Sequence, residues 1–231
     1  MKNKVVLVVI IVITLFVLLL FLLGDNAYDK VMYPNAKRVG NGSIKISCVG
    51  DSITYGLGVL KNREYAWPSV LAKELGKNYQ TINYGLSNRT LLSTGDMPYM
   101  KEKLAKEFWN SEEDIILFML GTNDTKAKNW NKDLFEKEYK NIVKKLKKKS
   151  KLYIMIPPAV FIKHPGKSEP NYKNLEDGVI PIIKKVGKEE NVEVIDLYTI
   201  TVDHPEWFKD RLHPNREANE KIAKEIAIII K

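Results

Sequence analysis

The residues of this chain that could do chemistry together are a serine, two polar turns and an aspartate–histidine pair near the C-terminus. Ser52 stands in the segment GDSIT, where small and turn-forming neighbours can leave its hydroxyl exposed. A hydroxyl at a strand-to-helix turn can act as a nucleophile, with the helix N-terminus facing the negative charge that develops. The alternative for a serine in this position is a plain helix N-cap.

Two further turns carry hydrogen-bond donors that suit an oxyanion. Gly85, in the segment NYGLSNRT, could bring a backbone N–H close to a ligand because glycine lacks a side chain. Asn123, in the segment GTND, has a neutral amide donor. Taken alone, Gly85 fits an ordinary turn glycine, and Asn123 fits an Asx-turn or a helix cap.

The segment DRLHPN contains an aspartate and a histidine three residues apart. On one helical turn or in a tight loop, Asp210 and His213 face the same way. The carboxylate can then hold the imidazole tautomer while the other ring nitrogen takes a proton from a hydroxyl. His164 and His204 have no partner at comparable spacing, and we interpret them as surface residues. The single cysteine, Cys48, excludes an intramolecular disulfide and a Cys-based zinc site.

An alternation of strands and helices after residue 42 must position these residues. The strand candidates are Ile44–Val49, Gln80–Tyr84, Asp114–Leu120, Leu152–Ile156 and Val192–Leu197. The helical patterns between them are Trp67–Gly76, Tyr99–Trp109, Lys132–Lys149, Leu175–Glu189 and Arg216–Ile230. Five β units alternating with five α units predict an α/β fold whose parallel sheet is covered on both faces. Ligands bind such sheets at the carboxyl ends of the strands, where the candidate residues lie.

The N-terminus is a different kind of segment. An apolar run of about 19 residues from Val5 to Leu23 is long enough to span a bilayer, and two lysines precede it. We therefore predict one transmembrane signal anchor over residues 1–24, which places the rest of the protein outside the cytoplasm. A cleaved signal peptide, giving a secreted protein, and a buried core helix are the alternatives. Residues 25–42 lack periodicity and are predicted to be a tether, which leaves 43–231 as the folded domain.

Composition and charge narrow the classes of protein. Of the 231 residues, 45% are hydrophobic and 28% are charged, which excludes a collagen-like or wholly disordered chain. The net charge of +9 favours anionic surroundings without naming a partner. The lysine-rich stretch 144–151 is either a solvated helix end or a patch for an anionic lipid or envelope polymer. A glycosylation sequon at Asn123 would block the candidate site in a eukaryotic secretory route, which favours a bacterial envelope.

The four segments together resemble the SGNH, or GDSL-like, hydrolase family of esterases and lipases. The match covers about Ile44 to Ile230, nearly all of the predicted exported part. Members of the family often have another glycine where Asn88 stands. The resemblance implies a flavodoxin-like, three-layer α/β/α sandwich, in agreement with the five-stranded parallel sheet predicted above. It implies neither a metal nor an organic cofactor.

The resemblance also implies a role for each candidate residue. Ser52 corresponds to the nucleophile, and Asp210 and His213 correspond to the other two members of a catalytic triad. The backbone N–H groups of Ser52 and Gly85 and the side chain of Asn123 would form the oxyanion hole.

From these roles we expect a serine esterase that hydrolyses short-chain esters through an acyl-enzyme. The expected substrate is a small-molecule or glycan ester, with acetyl esters of carbohydrate or cell-envelope glycan foremost. We expect no nucleic-acid partner. A lysophospholipase or thioesterase acting on longer chains, and an O-acyltransferase, use the same residues and stay open. A noncatalytic envelope-binding protein with a vestigial triad is the alternative from a different class.

Overall fold

The structure is a computed structural model that describes residues 32–231. The predicted anchor over residues 1–24 lies outside the described residues, so it stays a prediction. Among the residues that are described, no helix has both the length and the apolar character needed to cross a membrane. The unit that carries the candidate residues extends from Asn35 to Lys231.

The centre of this unit is a six-stranded sheet with the strand order β1-β3-β2-β4-β5-β6. Its strands are β1 (Lys37–Gly40), β2 (Ile44–Gly50), β3 (Tyr79–Gly85), β4 (Ile115–Met119), β5 (Lys151–Ile156) and β6 (Glu193–Asp196). Strands β2 to β6 are parallel to one another, whereas β1 runs antiparallel to β3 at the edge. The parallel sheet is therefore confirmed, and the predicted count of five strands is wrong by one.

The additional strand comes from the sequence interpreted as a tether. The four residues of β1 pair with β3 in a register from Lys37 opposite Asn83 to Gly40 opposite Gln80. The side chain of Arg38 also donates a hydrogen bond to the side chain of Gln80. Four residues are too few for an alternating pattern to stand out, and their partner lies about forty residues further along the chain. The strand covers an edge of β3 that would otherwise expose unpaired backbone groups.

Helices connect the strands and cover both faces. They are α1 (Ser52–Tyr55), α2 (Asn62–Tyr65), α3 (Trp67–Leu75), α4 (Lys103–Asn110), α5 (Lys132–Lys149), α6 (Tyr172–Asn174), α7 (Ile180–Glu190), α8 (Leu197–Thr201) and α9 (Arg216–Ile230). A π-helical turn, Leu175–Val179, joins α6 to α7. The helix predicted over Tyr99–Trp109 is divided, because Glu102 is extended and separates a 3₁₀ turn from α4.

Strand β4 shows how the two faces are formed. Its side chains alternate between two buried clusters, as expected for residues that point to opposite faces of a sheet. Ile116 and Phe118 pack in the cluster that includes side chains of α4, α5 and α7. Leu117 and Met119 pack in the cluster that includes side chains of α3 and α9. The arrangement is the predicted α/β/α sandwich, and the loops after β2, β3 and β4 share one edge of it.

Candidate active site

Ser52 begins a four-residue helix directly after β2. Asp51 is the N-cap of α1, and its Oδ1 accepts a hydrogen bond from the N–H of Ile53 at 3.0 Å. The helix ends at Gly56, whose φ of 94° is left-handed. Because Asp51 makes the capping contact, the alternative of a plain N-cap serine is excluded for Ser52. The N–H of Ser52 has no acceptor in the described part of the chain.

The structure brings the serine, the histidine and the aspartate into one hydrogen-bonded chain. Ser52 Oγ lies 2.9 Å from His213 Nε2, although the two residues are 161 positions apart in sequence. On the other side of the ring, His213 Nδ1 lies 2.6 Å from Asp210 Oδ2. Both distances are those of hydrogen bonds, and they place the imidazole between a hydroxyl and a carboxylate. This geometry lets the ring accept the serine proton while the carboxylate orients it.

The loop from Asp210 to His213 is shaped by a left-handed residue. Arg211 has a φ of 67°, which turns the chain so that Asp210 Oδ1 accepts the N–H groups of Leu212 and His213 at 3.0 and 2.7 Å. Partial burial acts to raise the pKa of Asp210, but these hydrogen bonds and the nearby imidazole together hold it below its usual value. The carboxylate is therefore ionised when the imidazole takes up a proton.

Asn219 is a positioning residue that the sequence analysis missed. It is fully buried, and its Oδ1 accepts the N–H of Trp67 at the start of α3 at 2.9 Å. Its Nδ2 donates to the carbonyls of Pro214 and Asn215, at 2.9 and 2.8 Å. The asparagine therefore attaches the loop that carries His213 to the helix that follows the Ser52 segment. The available signal was a polar residue on the otherwise apolar face of α9.

Gly85 is close to the serine turn, but its N–H is already used. It donates to Asn83 Oδ1 at 2.8 Å, so it is not available to an oxyanion in this conformation, which differs from the prediction. The structure gives the glycine another reason to be there. A Cβ at this position would lie 2.2 Å from the backbone nitrogen of Tyr55, so only glycine lets α1 approach β3.

Asn88, three residues later, has the backbone conformation of a glycine. Its φ is 69°, and its N–H has no acceptor among the residues that the structure describes. The side chain is held at both ends, because Oδ1 accepts from the ammonium group of Lys126 and Nδ2 donates to the sulfur of Met97. The available signal was an asparagine where family members often have glycine, since asparagine tolerates this conformation better than other side chains.

Asn123 begins a 3₁₀ turn after β4, and its side chain faces the other candidate loops. Nδ2 lies 3.2 Å from the carbonyl of Arg89 and 3.4 Å from Asp51 Oδ2. The two acceptors lie 34 and 72 residues earlier in the chain than Asn123. Because an Asx-turn or a helix cap would bond within a few residues, these two alternatives are excluded for the side-chain amide. Both contacts are longer than a typical N–H···O bond, so the amide is oriented without being strongly held.

Three buried ionisable groups lie behind these loops. Burial raises the pKa of Asp51 to about 6 and that of Asp124 to about 7, and hydrogen bonds from backbone N–H groups oppose both shifts. Lys126 is only 3% exposed, and burial lowers its pKa while the surrounding carboxylates oppose the change. The lysine therefore supplies positive charge beside carboxyl groups that would otherwise be costly to ionise.

Other candidates for chemistry do not join this constellation. Cys48 is fully buried in β2, and burial raises the pKa of its thiol well above the usual value, which makes it an unreactive core residue. His204 stacks on Trp207, and its Nδ1 lies 2.8 Å from Glu206 Oε1, so its contacts are with residues other than Ser52 and Asp210. Within residues 32–231, no group of three or more histidine, cysteine or acidic side chains is arranged to hold a metal ion.

The chain is similar to known proteins in sequence and in fold. Residues 48–221 match the GDSL-like lipase/acylhydrolase family. An acetylxylan esterase from Xylanibacter ruminicola is 32% identical over 208 residues, which are 82% of this chain and 43% of that protein, so the chain spans less than half of its relative.

Two solved structures share the fold. A carbohydrate acetylesterase from Sinorhizobium meliloti superposes with a TM-score of 0.66 at 20% identity, over 81% of this chain and 98% of that one. The aryl esterase of M. smegmatis superposes with a TM-score of 0.69 at 21% identity, over 81% of this chain and 98% of that one. With its sequence matched over most of its length and its fold shared with solved esterases, the chain belongs to the GDSL-like lipase/acylhydrolase family of serine ester hydrolases.

Proposed function

We propose that this protein removes acetyl groups from carbohydrate esters through an acyl-enzyme formed on Ser52. The observation that carries the proposal is the unbroken hydrogen-bonded chain from Ser52 Oγ through the His213 ring to Asp210. An enzyme of this kind needs a hydroxyl, a base within hydrogen-bond distance and a group that orients the base. The described geometry supplies all three.

The reaction divides into two transfers. In the first, His213 Nε2 takes the proton of Ser52 as Oγ attacks the ester carbonyl, and Asp210 stabilises the imidazolium that forms. The tetrahedral intermediate collapses when the imidazolium protonates the leaving sugar hydroxyl. In the second transfer, His213 takes a proton from water, the resulting hydroxide attacks the acetyl group, and the proton returns to Ser52 Oγ as acetate leaves.

Three donors are suited to hold the oxyanion. They are the N–H of Ser52, the N–H of Asn88 and the side-chain amide of Asn123. The two backbone groups are assigned because neither has an acceptor in the part of the chain described, whereas the N–H of Gly85 is engaged by Asn83. The Asn123 amide makes only long contacts, so it can shift to a stronger acceptor as charge develops.

The substrate class rests on the acetylxylan esterase to which this chain is 32% identical. Because that protein is more than twice as long as the matched region, the carbohydrate specificity is proposed for the matched region alone. Three outcomes would replace the proposal: a preference for longer acyl chains, transfer of the acyl group to a second alcohol, and binding of the glycan without turnover. Each of them gives a different result in the experiments below.

The nucleophile is tested by labelling with a fluorophosphonate probe, with Ser168→Ala as the matched control because Ser168 is exposed. The parent and Ser168→Ala proteins should be labelled, and Ser52→Ala should not. Turnover of p-nitrophenyl acetate should fall by about 10⁴-fold or more in Ser52→Ala and by about 10²- to 10³-fold in Asn123→Ala. Labelling of Ser52→Ala, or its full activity, would overturn the proposal.

The substrate is tested with two measurements on the full chain. Rates across p-nitrophenyl esters from acetyl to decanoyl should be greatest for acetyl, and a maximum at decanoyl would replace the acetylesterase with a lipase-type activity. Acetate release from acetylated xylo-oligosaccharides should exceed transfer of acetyl to an added sugar. The reverse order would make the protein an acyltransferase.

The proposed location is the outer face of a membrane, where envelope glycans are accessible. The support is the apolar run before residue 24 and the lysines that precede it. The full chain should sediment with membranes and be cleaved by protease added to intact cells, whereas a variant without residues 1–24 should remain in the soluble fraction. Equal distribution of the two proteins would refute the anchor.

A further inference from the structure

A pocket of about 910 Å³ lies beside the loop that carries the triad, and the mechanism above makes no use of it. One wall is formed by Lys209 and Arg211, which flank Asp210 in sequence. The opposite wall comes from the segment after β5, and the two walls are joined by a hydrogen bond from the N–H of Phe161 to the carbonyl of Arg211 at 2.9 Å. The pocket therefore adjoins the loop that carries Asp210 and His213 and shares Arg211 with it.

The charge of this pocket is predominantly positive. Lys163, Lys209 and Arg211 contribute three cations, and Glu176 contributes a single carboxylate. The carboxylate accepts a hydrogen bond from the hydroxyl of Tyr198 at 2.8 Å. Within residues 32–231, none of the three cations lies within ion-pair distance of an acidic side chain. The pocket thus has an excess of positive charge, with three cations for one carboxylate.

Aromatic rings form much of the remaining surface. Phe161 and Phe208 pack against each other with centroids 5.1 Å apart, and Tyr172 and Tyr198 also line the pocket. Binding sites for small polar ligands combine such apolar and aromatic walls with a few polar groups that fix orientation. The flat faces of sugars suit aromatic walls, and arginine suits planar anionic groups because of its bidentate geometry.

The pocket is also close enough to the reacting centre to hold part of the same substrate. Arg211 and His213 are two residues apart, so their Cα atoms are separated by at most about 7 Å. We infer that this pocket binds an anionic sugar residue of the glycan chain whose acetyl group is attacked by Ser52. The inference rests on the proposed function, and it narrows the substrate from acetylated carbohydrate to acetylated glycan that carries carboxylate or phosphate groups.

The first test compares kcat/KM for acetylated xylo-oligosaccharides with and without a glucuronic acid substituent. The acidic substrate should be preferred, and the preference should decrease as ionic strength rises, because exposed charges are screened by salt. Glucuronate and glucose 6-phosphate are then added as inhibitors, with glucose as the neutral reference. Stronger inhibition by glucuronate indicates that the pocket prefers a carboxylate, and stronger inhibition by glucose 6-phosphate indicates a phosphate. Equal kcat/KM for the two oligosaccharides at low salt would overturn the inference.

Variants connect the preference to the pocket. Lys163→Gln with Lys209→Gln should reduce the acidic-to-neutral ratio of kcat/KM by about three- to tenfold, as expected for two partly exposed ion pairs. Arg211→Gly should reduce it too, because glycine keeps the left-handed backbone while removing the guanidinium. The matched control is Lys221→Gln with Lys224→Gln on exposed positions of α9, which should leave the ratio unchanged. An unchanged ratio in both pocket variants would refute the assignment.

A binding measurement keeps the pocket separate from catalysis. Calorimetry with Ser52→Ala protein should show tighter binding of the acidic oligosaccharide than of the neutral one, and the difference should shrink when Lys163 and Lys209 are replaced. If the parent protein hydrolyses no ester but this difference is found, the proposed function fails and the pocket stands. If esters are hydrolysed and no difference is found, the pocket fails and the proposed function stands.

Discussion

Asn88 is held in a glycine-like conformation by Lys126. Separating the effect of the lysine from that of the Asn88 backbone N–H gives the sharpest test of the proposed oxyanion hole. The perturbation is Lys126→Met, made once in the parent protein and once in an Asn88→Gly background. In the parent, the ammonium group of Lys126 donates to Asn88 Oδ1 and holds a side chain whose backbone has a φ of 69°. In the glycine background the lysine has no side chain to hold, and glycine adopts the conformation freely.

The expected magnitude follows from the type of contact. A hydrogen bond to a charged group contributes about 1.5 to 3 kcal/mol, and each 1.36 kcal/mol lost from the transition state is about tenfold in rate. Lys126→Met should therefore lower kcat by about 10- to 100-fold in the parent and by less than about threefold in the Asn88→Gly background. Asn88→Gly alone should stay within about fivefold of the parent, since the backbone N–H remains in place.

The assay is kcat and KM for p-nitrophenyl acetate, with urea unfolding to confirm that all variants are folded at the assay temperature. Lys128→Met is the matched control, because Lys128 is two residues away and pairs with Asp96 on the surface. The loss should appear in kcat with little change in KM. Equal losses in the two backgrounds would refute the reasoning, because Lys126 would then act through its charge and not by positioning Asn88.

Three further predictions concern the surroundings of the site. Gly58→Ala should lower kcat/KM by about tenfold or more, because a Cβ there would lie 2.8 Å from the Cβ of His213 and φ is 100°. Glu102→Gln should lower the free energy of unfolding by about 2 to 3 kcal/mol in a urea titration, since it replaces the carboxylate that pairs with the fully buried guanidinium of Arg89. The folded protein binds protons at Asp51 and Asp124 that the unfolded chain has already released at pH 5. The free energy of unfolding should therefore fall as the pH rises from about 5 to about 7.5.

Each of these predictions has a control or a contrary outcome. Gly166→Ala introduces a Cβ with only one neighbour, at 3.4 Å, and should leave kcat/KM unchanged. Glu107→Gln breaks an exposed pair at 3.8 Å with Lys103 and should change the unfolding free energy by less than about 0.5 kcal/mol. A loss equal to that of Glu102→Gln would show that burial is not the cause. An unfolding free energy that rises between pH 5 and 7.5 would contradict the raised carboxyl pKa values.

The elements that the sequence predicts well are those with local signals. Helices α5 and α9 have the predicted bounds, because each combines an amphipathic pattern with an asparagine N-cap. Strand β1 has no such signal and exists only through its pairing with β3. The break at Glu102 was not predicted, and no local pattern indicates it; the side chain of Glu102 accepts a hydrogen bond from the buried Arg89, 13 residues earlier.

The same distinction applies within the candidate site. Ser52, Asp210 and His213 could be identified from residue types and spacing, and the structure brings their side chains together. The direction in which a backbone N–H points depends on the conformation of a single peptide. The sequence therefore could not show that the N–H of Gly85 donates a hydrogen bond to the side chain of Asn83, whereas the N–H of Asn88 has no acceptor among the described residues.

The two contacts of the imidazole differ in what maintains them. Its bond to Asp210 is made within four consecutive residues, whereas its bond to Ser52 depends on α9 being docked against α3 through Asn219. Loosening the C-terminal helix would thus separate Ser52 from His213 and leave the hydrogen bond between His213 and Asp210 in place. Catalytic activity should then be lost at a lower temperature than the one at which the sheet unfolds. Cooling should restore the activity without refolding of the core.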